Sequence, residues 1–214
     1  IDLFEKKYKR KPKSILDVGA GSGHFVQACK QLGINANGIE LSKNGVDFCK
    51  ENFGFDLINK DFIKNQEEFK DYDIITFWGV IEHVALPNEM INTAIKILKQ
   101  TNGLLAVEVP RWNCFSTTIQ SIFTESIIRH LDPLGHIHCF TDSSLAELFR
   151  INNIDIMSAW YFGMDAYELA TQLSYMLKEN NVVNNLKQCI PDFQQTLDLA
   201  KLSDSMVLAG TIKS

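Results

Sequence analysis

The feature that most constrains this chain is the run Ser14-Ile15-Leu16-Asp17-Val18-Gly19-Ala20-Gly21-Ser22-Gly23. Residues 14–18 read as a buried strand that runs straight into a glycine turn, and residues 22–32 read as a helix. Gly33 is placed to stop that helix in a left-handed conformation. In such a junction Gly19 permits the tight turn, Gly21 lets a ligand approach the backbone, and Gly23 lets helix and strand pack closely. The free N–H groups at the helix start suit a carboxylate or another anionic group.

The alternation continues downstream. A second strand is expected over residues 36–40, followed by a helix that Ser42 caps and Gly54 ends. Residues 56–58 give a short third strand, and residues 72–78 a β-rich fourth. Residues 88–100 carry an apolar helical face made by Met90, Ile91, Ala94, Ile95 and Leu98. Asn102-Gly103 turns the chain into a strand over 104–109, which Pro110 terminates. Strand and helix in alternation imply an α/β fold: a mostly parallel sheet with right-handed crossovers and helices on both faces.

The pattern breaks at residue 111. Thr141-Asp142-Ser143-Ser144 is read as the cap of another helix, with Glu147 in capping-box spacing from Ser144. Residues 154–162 read as strand, 164–178 as helix and 205–212 as a closing strand. We expect one domain over residues 1–214, with insertions at about 111–140 and 164–203 forming a helical cap over an acceptor site.

Composition narrows the function classes. Hydrophobic residues make up 45% of the 214, enough for a real core, and the net charge of −5 is scattered. The one basic cluster, Lys6 to Lys13, reads as a solvated helix end, so nucleic acid is not the expected partner. Five cysteines without a CxxC pair fit free thiols in a reducing compartment. No apolar run approaches the ~20 residues of a membrane span and no signal peptide is visible, so a cytoplasmic protein is expected.

Glu40 lies at the end of the second strand, 21 residues after Gly19, where a carboxylate can accept from two ribose hydroxyls. A dinucleotide fingerprint, GxGxxG, would need its third glycine at position 24, which is His24. The spacing is GxGxG instead, and Asp17 before it suits a cationic amino-acid group better than a pyrophosphate. The chain therefore resembles the class I S-adenosylmethionine-dependent methyltransferases. That resemblance implies a Rossmann-like seven-stranded sheet of order 3-2-1-4-5-7-6 with the last strand antiparallel. It also implies S-adenosyl-L-methionine as cofactor, with Asp17, Gly19, Ala20, Gly21 and Gly23 around its methionine part and Glu40 and Leu41 at the ribose. By the same resemblance Asp61 accepts from the adenine amino group, Phe62 packs on the base, and Phe77 and Trp78 form the far wall, Trp78 being equally readable as core.

Gly79-Val80-Ile81-Glu82-His83-Val84 is similar to the ExxEHV stretch of ubiquinone-biosynthesis O-methyltransferases, and His136 to Leu145 resembles the HxxxFTxxSL stretch of the methyltransferase-23 group. The resemblance implies a small or medium-sized acceptor, sugar- or quinone-like, methylated at oxygen. In the ubiquinone enzymes the first acidic residue of ExxEH helps hold a divalent metal; Gly79 stands there in this chain. Adjacent Glu82 and His83 would not share a helix face, so no metal is expected. His83 is the first candidate base, with His136 and His138, on one face of an expected strand, after it. Two rival readings are a non-catalytic S-adenosylmethionine-binding module and a nucleotide-dependent oxidoreductase.

Overall fold

The computed structural model describes residues 1–123, 128, 130–131, 134–179 and 181–213. The expected insertion at 111–140 thus lies outside the described residues at 124–127, 129, 132 and 133. In chain order the elements are α1 (Asp2–Tyr8), β1 (Ser14–Val18), α2 (His24–Gln31), β2 (Asn35–Ile39), α3 (Lys43–Phe53), β3 (Ile74–Trp78), α4 (Pro87–Leu98) and β4 (Leu104–Pro110). There follow α5 (Phe115–Ile122), α6 (Asp142–Ile151), β5 (Ile154–Phe162), α7 (Asp165–Leu177), α8 (Val182–Leu186), α9 (Ile190–Leu199) and β6 (Ser205–Ile212).

The sheet has six strands in the order β2-β1-β3-β4-β6-β5. The pairs β1–β2, β1–β3 and β3–β4 are parallel, and β6 runs antiparallel to both β4 and β5. The expected third strand is a correction: residues 56–58 form only a single parallel bridge, Ile58 to Ile39, at the outer edge of β2. With that bridge counted, the order is the expected one.

The central strands are apolar on both sides because both sheet faces are covered. Leu16, Ile75, Phe77, Leu105 and Val107 point into one core, against α4 and α6. Ile15, Ile74, Leu104 and Ala106 point into the other, with Phe4, Val26 and Cys49 of α1–α3. The period of two along each strand produces this division. On α4 the five expected core residues are all buried, and Thr93 and Ile97 widen the stripe. At α6 the capping box closes between Thr141 and Ser144, whose side chains exchange bonds with each other's backbone N–H. Glu147 instead grips Arg150 on the helix surface.

All five cysteines are free. Among the described residues no helix is long and apolar enough to cross a membrane. The later helices pack on one another and α9 meets β5. They are tied to the sheet by Asp165, which is fully buried and accepts from the backbone N–H of Ser116 at 2.9 Å and of Asp204 at 2.9 Å.

Candidate active site

The glycine loop leaves β1 at the C-terminal edge of the sheet, where open α/β folds bind ligands. Gly19 and Ala20 both donate to the Ile39 carbonyl, which ties the loop to the end of β2. A side chain at Gly19 would strike Val80, 2.5 Å from where its Cβ would sit. Gly21 has a φ of +54° and nothing within 4 Å of its missing Cβ, so the backbone there is open to a ligand. Gly23 packs against α3 rather than against a strand, since a Cβ would lie 2.6 Å from the Cys49 sulfur.

Glu40 stands just past β2. Its Oε2 accepts from the Gly21 N–H at 2.8 Å and its Oε1 from the Ser42 N–H at 2.6 Å. The carboxylate is thus fixed before any ligand arrives, and each oxygen retains a lone pair for a hydroxyl. Ser42 sits at the N-cap of α3 but makes no side-chain cap; its backbone N–H serves Glu40. Asn59, one residue beyond the bridge, donates to the carbonyls of Glu40 (2.7 Å) and Leu41 (3.1 Å) and holds this corner.

Beside Glu40 opens a cavity of about 390 Å³, within the range of small-ligand sites. Its walls are apolar, from Val18, Ile39, Phe62, Ile63, Val80 and Met90, with Glu40, Lys60, Asp61 and Glu89 supplying polar groups. Leu41 is an exposed rim residue. Asp61 Oδ1 accepts from the Lys64 N–H at 2.9 Å, so this carboxylate also closes its own turn. Phe77 is wholly buried, edge-on to Phe62, and supports that wall from behind. Trp78 packs on Phe25 in the core on the opposite sheet face.

Asp17 lies beneath the loop, 2% exposed, and accepts from the Thr76 hydroxyl at 2.7 Å. Sequence reasoning missed Thr76, although a hydroxyl inside a central strand signals a buried polar partner. Burial pushes the Asp17 carboxyl up to about 6, against the pull of Thr76, and nearby Glu40 adds to the rise. Its folded-state value lies above the unfolded 3.8, so the stability this group contributes is fully present below about 3.8 and is lost as pH rises through about 6. The ionised folded state thereby carries a penalty on the order of 3 kcal/mol. Asp17→Asn should remove that contribution: urea midpoints at pH 4 and pH 6 should differ less in the variant than in the parent protein. An unchanged difference would remove Asp17 as its source.

Past β3 the chain makes a tight turn. Gly79 has a φ of +63°, a conformation in which a glutamate would be strained. Ile81–His83 form one 3-10 turn, and this overturns the expectation that Glu82 and His83 point apart. The Glu82 Oε1 and His83 Nε2 atoms are 3.6 Å from each other. The Glu82 carbonyl accepts from the Ile137 N–H (2.9 Å) and the His138 N–H (3.1 Å), which draws a distant loop onto the turn. His83 Nδ1 bonds the Gly135 carbonyl at 2.8 Å, and His136 lies tilted against His83 with ring centroids 4.9 Å apart. Residues 136–138 are therefore not the expected strand, and the two histidines do not act as one face. His138 turns toward Phe140. Glu82 is 1% exposed; burial pushes its carboxyl up to about 7, with His83 lowering it and Glu108 raising it.

The aromatics of the later segments do not gather at one place. Phe115 meets Phe193 between inserted helices, Tyr161 lies under Arg111, and Trp160 is exposed on the edge strand β5. His24 packs on Phe48 and Phe53.

A doubly covered sheet with a fixed carboxylate and an apolar cavity at its C-terminal edge defines an α/β protein built to hold a small ligand. The methyltransferase-23 model, described as a methyltransferase domain, matches residues 1–159, and the chain belongs to that family. A ubiquinone biosynthesis O-methyltransferase from Hydrogenovibrio crunogenus is 28% identical over 147 residues, 64% of this chain and 59% of that protein. One from Coxiella burnetii is 27% identical over 186 residues, 81% of this chain and 79% of that one. The match thus spans about three-fifths of the first relative's length. Among solved structures, an S-adenosylmethionine-dependent methyltransferase from Archaeoglobus fulgidus superposes with a TM-score of 0.62 at 17% identity, covering 98% of both chains. The plantazolicin methyltransferase BpumL, solved with a desmethyl-plantazolicin analogue and S-adenosylhomocysteine, gives 0.64 at 19% identity, covering 100% of this chain and 81% of its own. S-adenosylmethionine is the cofactor that the family and these structures indicate.

Proposed function

We propose that this chain transfers the methyl group of S-adenosylmethionine to a hydroxyl oxygen of a small or medium-sized metabolite in a reducing, cytoplasmic setting. The observation that carries the reading is the adjacency of two sites. The apolar cavity with Glu40 at its mouth accounts for adenosine, and its walls continue at Val80 and Val84 around the turn bearing Glu82 and His83. In this reading Glu40 takes the ribose hydroxyls, Asp61 and Phe62 the base, and Asp17 with Gly19 to Gly23 the methionine end. In the same reading the described residues of the segments 111–140 and 164–203 cover the acceptor. The relatives named as O-methyltransferases favour oxygen over nitrogen or carbon.

In the reaction an oxygen–carbon bond forms as the sulfur–methyl bond breaks, and the hydroxyl proton must leave. The sulfonium is already an activated donor, so aligning acceptor, methyl and sulfur supplies much of the rate, up to ~7–11 kcal/mol in favourable cases. His83 is the candidate proton acceptor: with Nδ1 held by a backbone carbonyl, Nε2 is left to take a proton. His136 is second and His138 third. His83→Ala should lower turnover by ~10²–10⁴-fold and leave S-adenosylhomocysteine affinity within a factor of two or so. Full turnover in that variant, measured as S-adenosylhomocysteine release, would sink the assignment. An S-adenosylmethionine-binding module without catalysis would release none with any hydroxyl acceptor. A nucleotide-dependent oxidoreductase would show a larger thermal shift with NAD than with S-adenosylhomocysteine.

A further inference from the structure

Resting on the proposed placement of Asp17 at the methionine end, we infer that Thr76 is a positioning residue for the cofactor. Its hydroxyl keeps Asp17 an anion and leaves the second carboxylate oxygen for the cationic amino group of S-adenosylmethionine.

The geometry comes from the sheet. Asp17 on β1 and Thr76 on β3 are register partners in a parallel pair, so their side chains leave the same face side by side. Both residues are 2% exposed. Thr76 Oγ1 donates to Asp17 Oδ1 at 2.7 Å, and among the described residues no donor reaches Oδ2. The glycine loop above gives none, because its N–H groups are committed elsewhere. Those of Gly19 and Ala20 go to the Ile39 carbonyl, and that of Gly21 goes to Glu40.

A carboxylate has about four acceptor positions, and here a single donor is in place. Burial makes that shortage costly, and an ammonium group corrects it with both a positive charge and hydrogen-bond donors. The titratable groups that face Asp17 do not. Glu40, past β2, adds negative charge, and the Cys29 thiol on α2 is pushed up by burial and further by Asp17 itself. Thr76 is the group that pulls Asp17 toward its ionised form, against burial that pushes the carboxyl up to about 6. Binding a cation favours the same form, so affinity for a ligand with an ammonium group should rise with pH through that value.

The test compares two nucleosides by calorimetry between pH 5 and pH 7.5. S-adenosylhomocysteine carries the amino-acid arm, whereas 5′-methylthioadenosine keeps adenosine and sulfur but lacks the ammonium group. The parent protein should bind S-adenosylhomocysteine ~10-fold more tightly at pH 7.5 than at pH 5, and 5′-methylthioadenosine equally at both. Any contribution of Glu40 at the ribose is common to the two ligands and cancels. Thr76→Val removes the donor and should move the step up by about one pH unit. At pH 6.5 that means ~3-fold weaker S-adenosylhomocysteine binding, mostly recovered at pH 7.5. Affinity for 5′-methylthioadenosine should stay at the parent value, which also shows that the variant is folded. Thr76→Ser restores the hydroxyl and should keep the parent profile. Asp17→Asn should show no step, a result independent of how the Thr76 variants fold. A step left in place by Thr76→Val, or retained in Asp17→Asn, would overturn the inference and leave the cofactor reading standing. Parent protein that binds neither nucleoside would overturn both.

Discussion

Glu40→Ala protein should show no measurable S-adenosylhomocysteine binding by calorimetry at concentrations that saturate the parent. The carboxylate is asked to do two things. It holds the glycine loop and the start of α3 together through the N–H groups of Gly21 and Ser42. In the proposed reading it also offers its remaining lone pairs to a ribose diol at the mouth of the cavity. A hydrogen bond to a charged group is worth ~1.5–3 kcal/mol, so losing two of them weakens binding by ~100-fold or more. The loop groups stay near solvent, so the stability loss should be small beside the binding loss. Glu40→Gln, which keeps one acceptor oxygen, should fall between. Parent-like affinity in the alanine variant would mean the ribose lies elsewhere.

The largest expected stability effect is at Asp165, remote from that chemistry in sequence and in role. Its carboxylate is 0% exposed and accepts from Ser116 N–H at 2.9 Å, Asp204 N–H at 2.9 Å and the Gln194 side chain at 3.4 Å. These partners belong to α5, the residue before β6, and α9, so one side chain pins three inserted or terminal segments. Asp165→Ala leaves two backbone donors buried without a partner, each at a cost of ~1–3 kcal/mol, and opens a void. We expect a loss of about 3–5 kcal/mol in urea unfolding. Glu147→Ala, which breaks an exposed helix pair with Arg150, serves as comparison and should leave stability nearly unchanged. A loss at Asp165 no larger than that of Glu147→Ala would show that the inserted helices are held by apolar packing alone.

Much of the fold was legible in the chain itself. β1, β5 and β6 begin and end where the sequence placed them, because continuous β-rich runs bounded by turn residues leave little choice of register. The apolar face of α4 was read correctly from its 3.6-residue period. The expected third strand failed for a reason local sequence cannot supply: whether residues 56–58 form a ladder depends on what β2 leaves unpaired at the sheet edge. Glu40 and Asp17 were singled out by their offsets from the strand–helix junction, and the structure shows that Glu40 does brace the glycine loop through the Gly21 N–H.

The contacts that join distant segments were not legible. No spacing rule links Thr76 to Asp17, 59 residues apart, or Asp165 to Ser116 and Asp204. Nor does a sequence of adjacent Glu82 and His83 reveal that a 3-10 turn brings their side chains together. His136 joins them only because the Glu82 carbonyl takes two N–H groups from its loop. The sequence determined the alternating sheet, the glycine loop and the carboxylate after β2, since local propensity and periodicity act over a few residues. Only the tertiary structure decided which buried polar groups meet, because each is desolvated on folding and must be satisfied by whatever partner the packing of distant segments delivers.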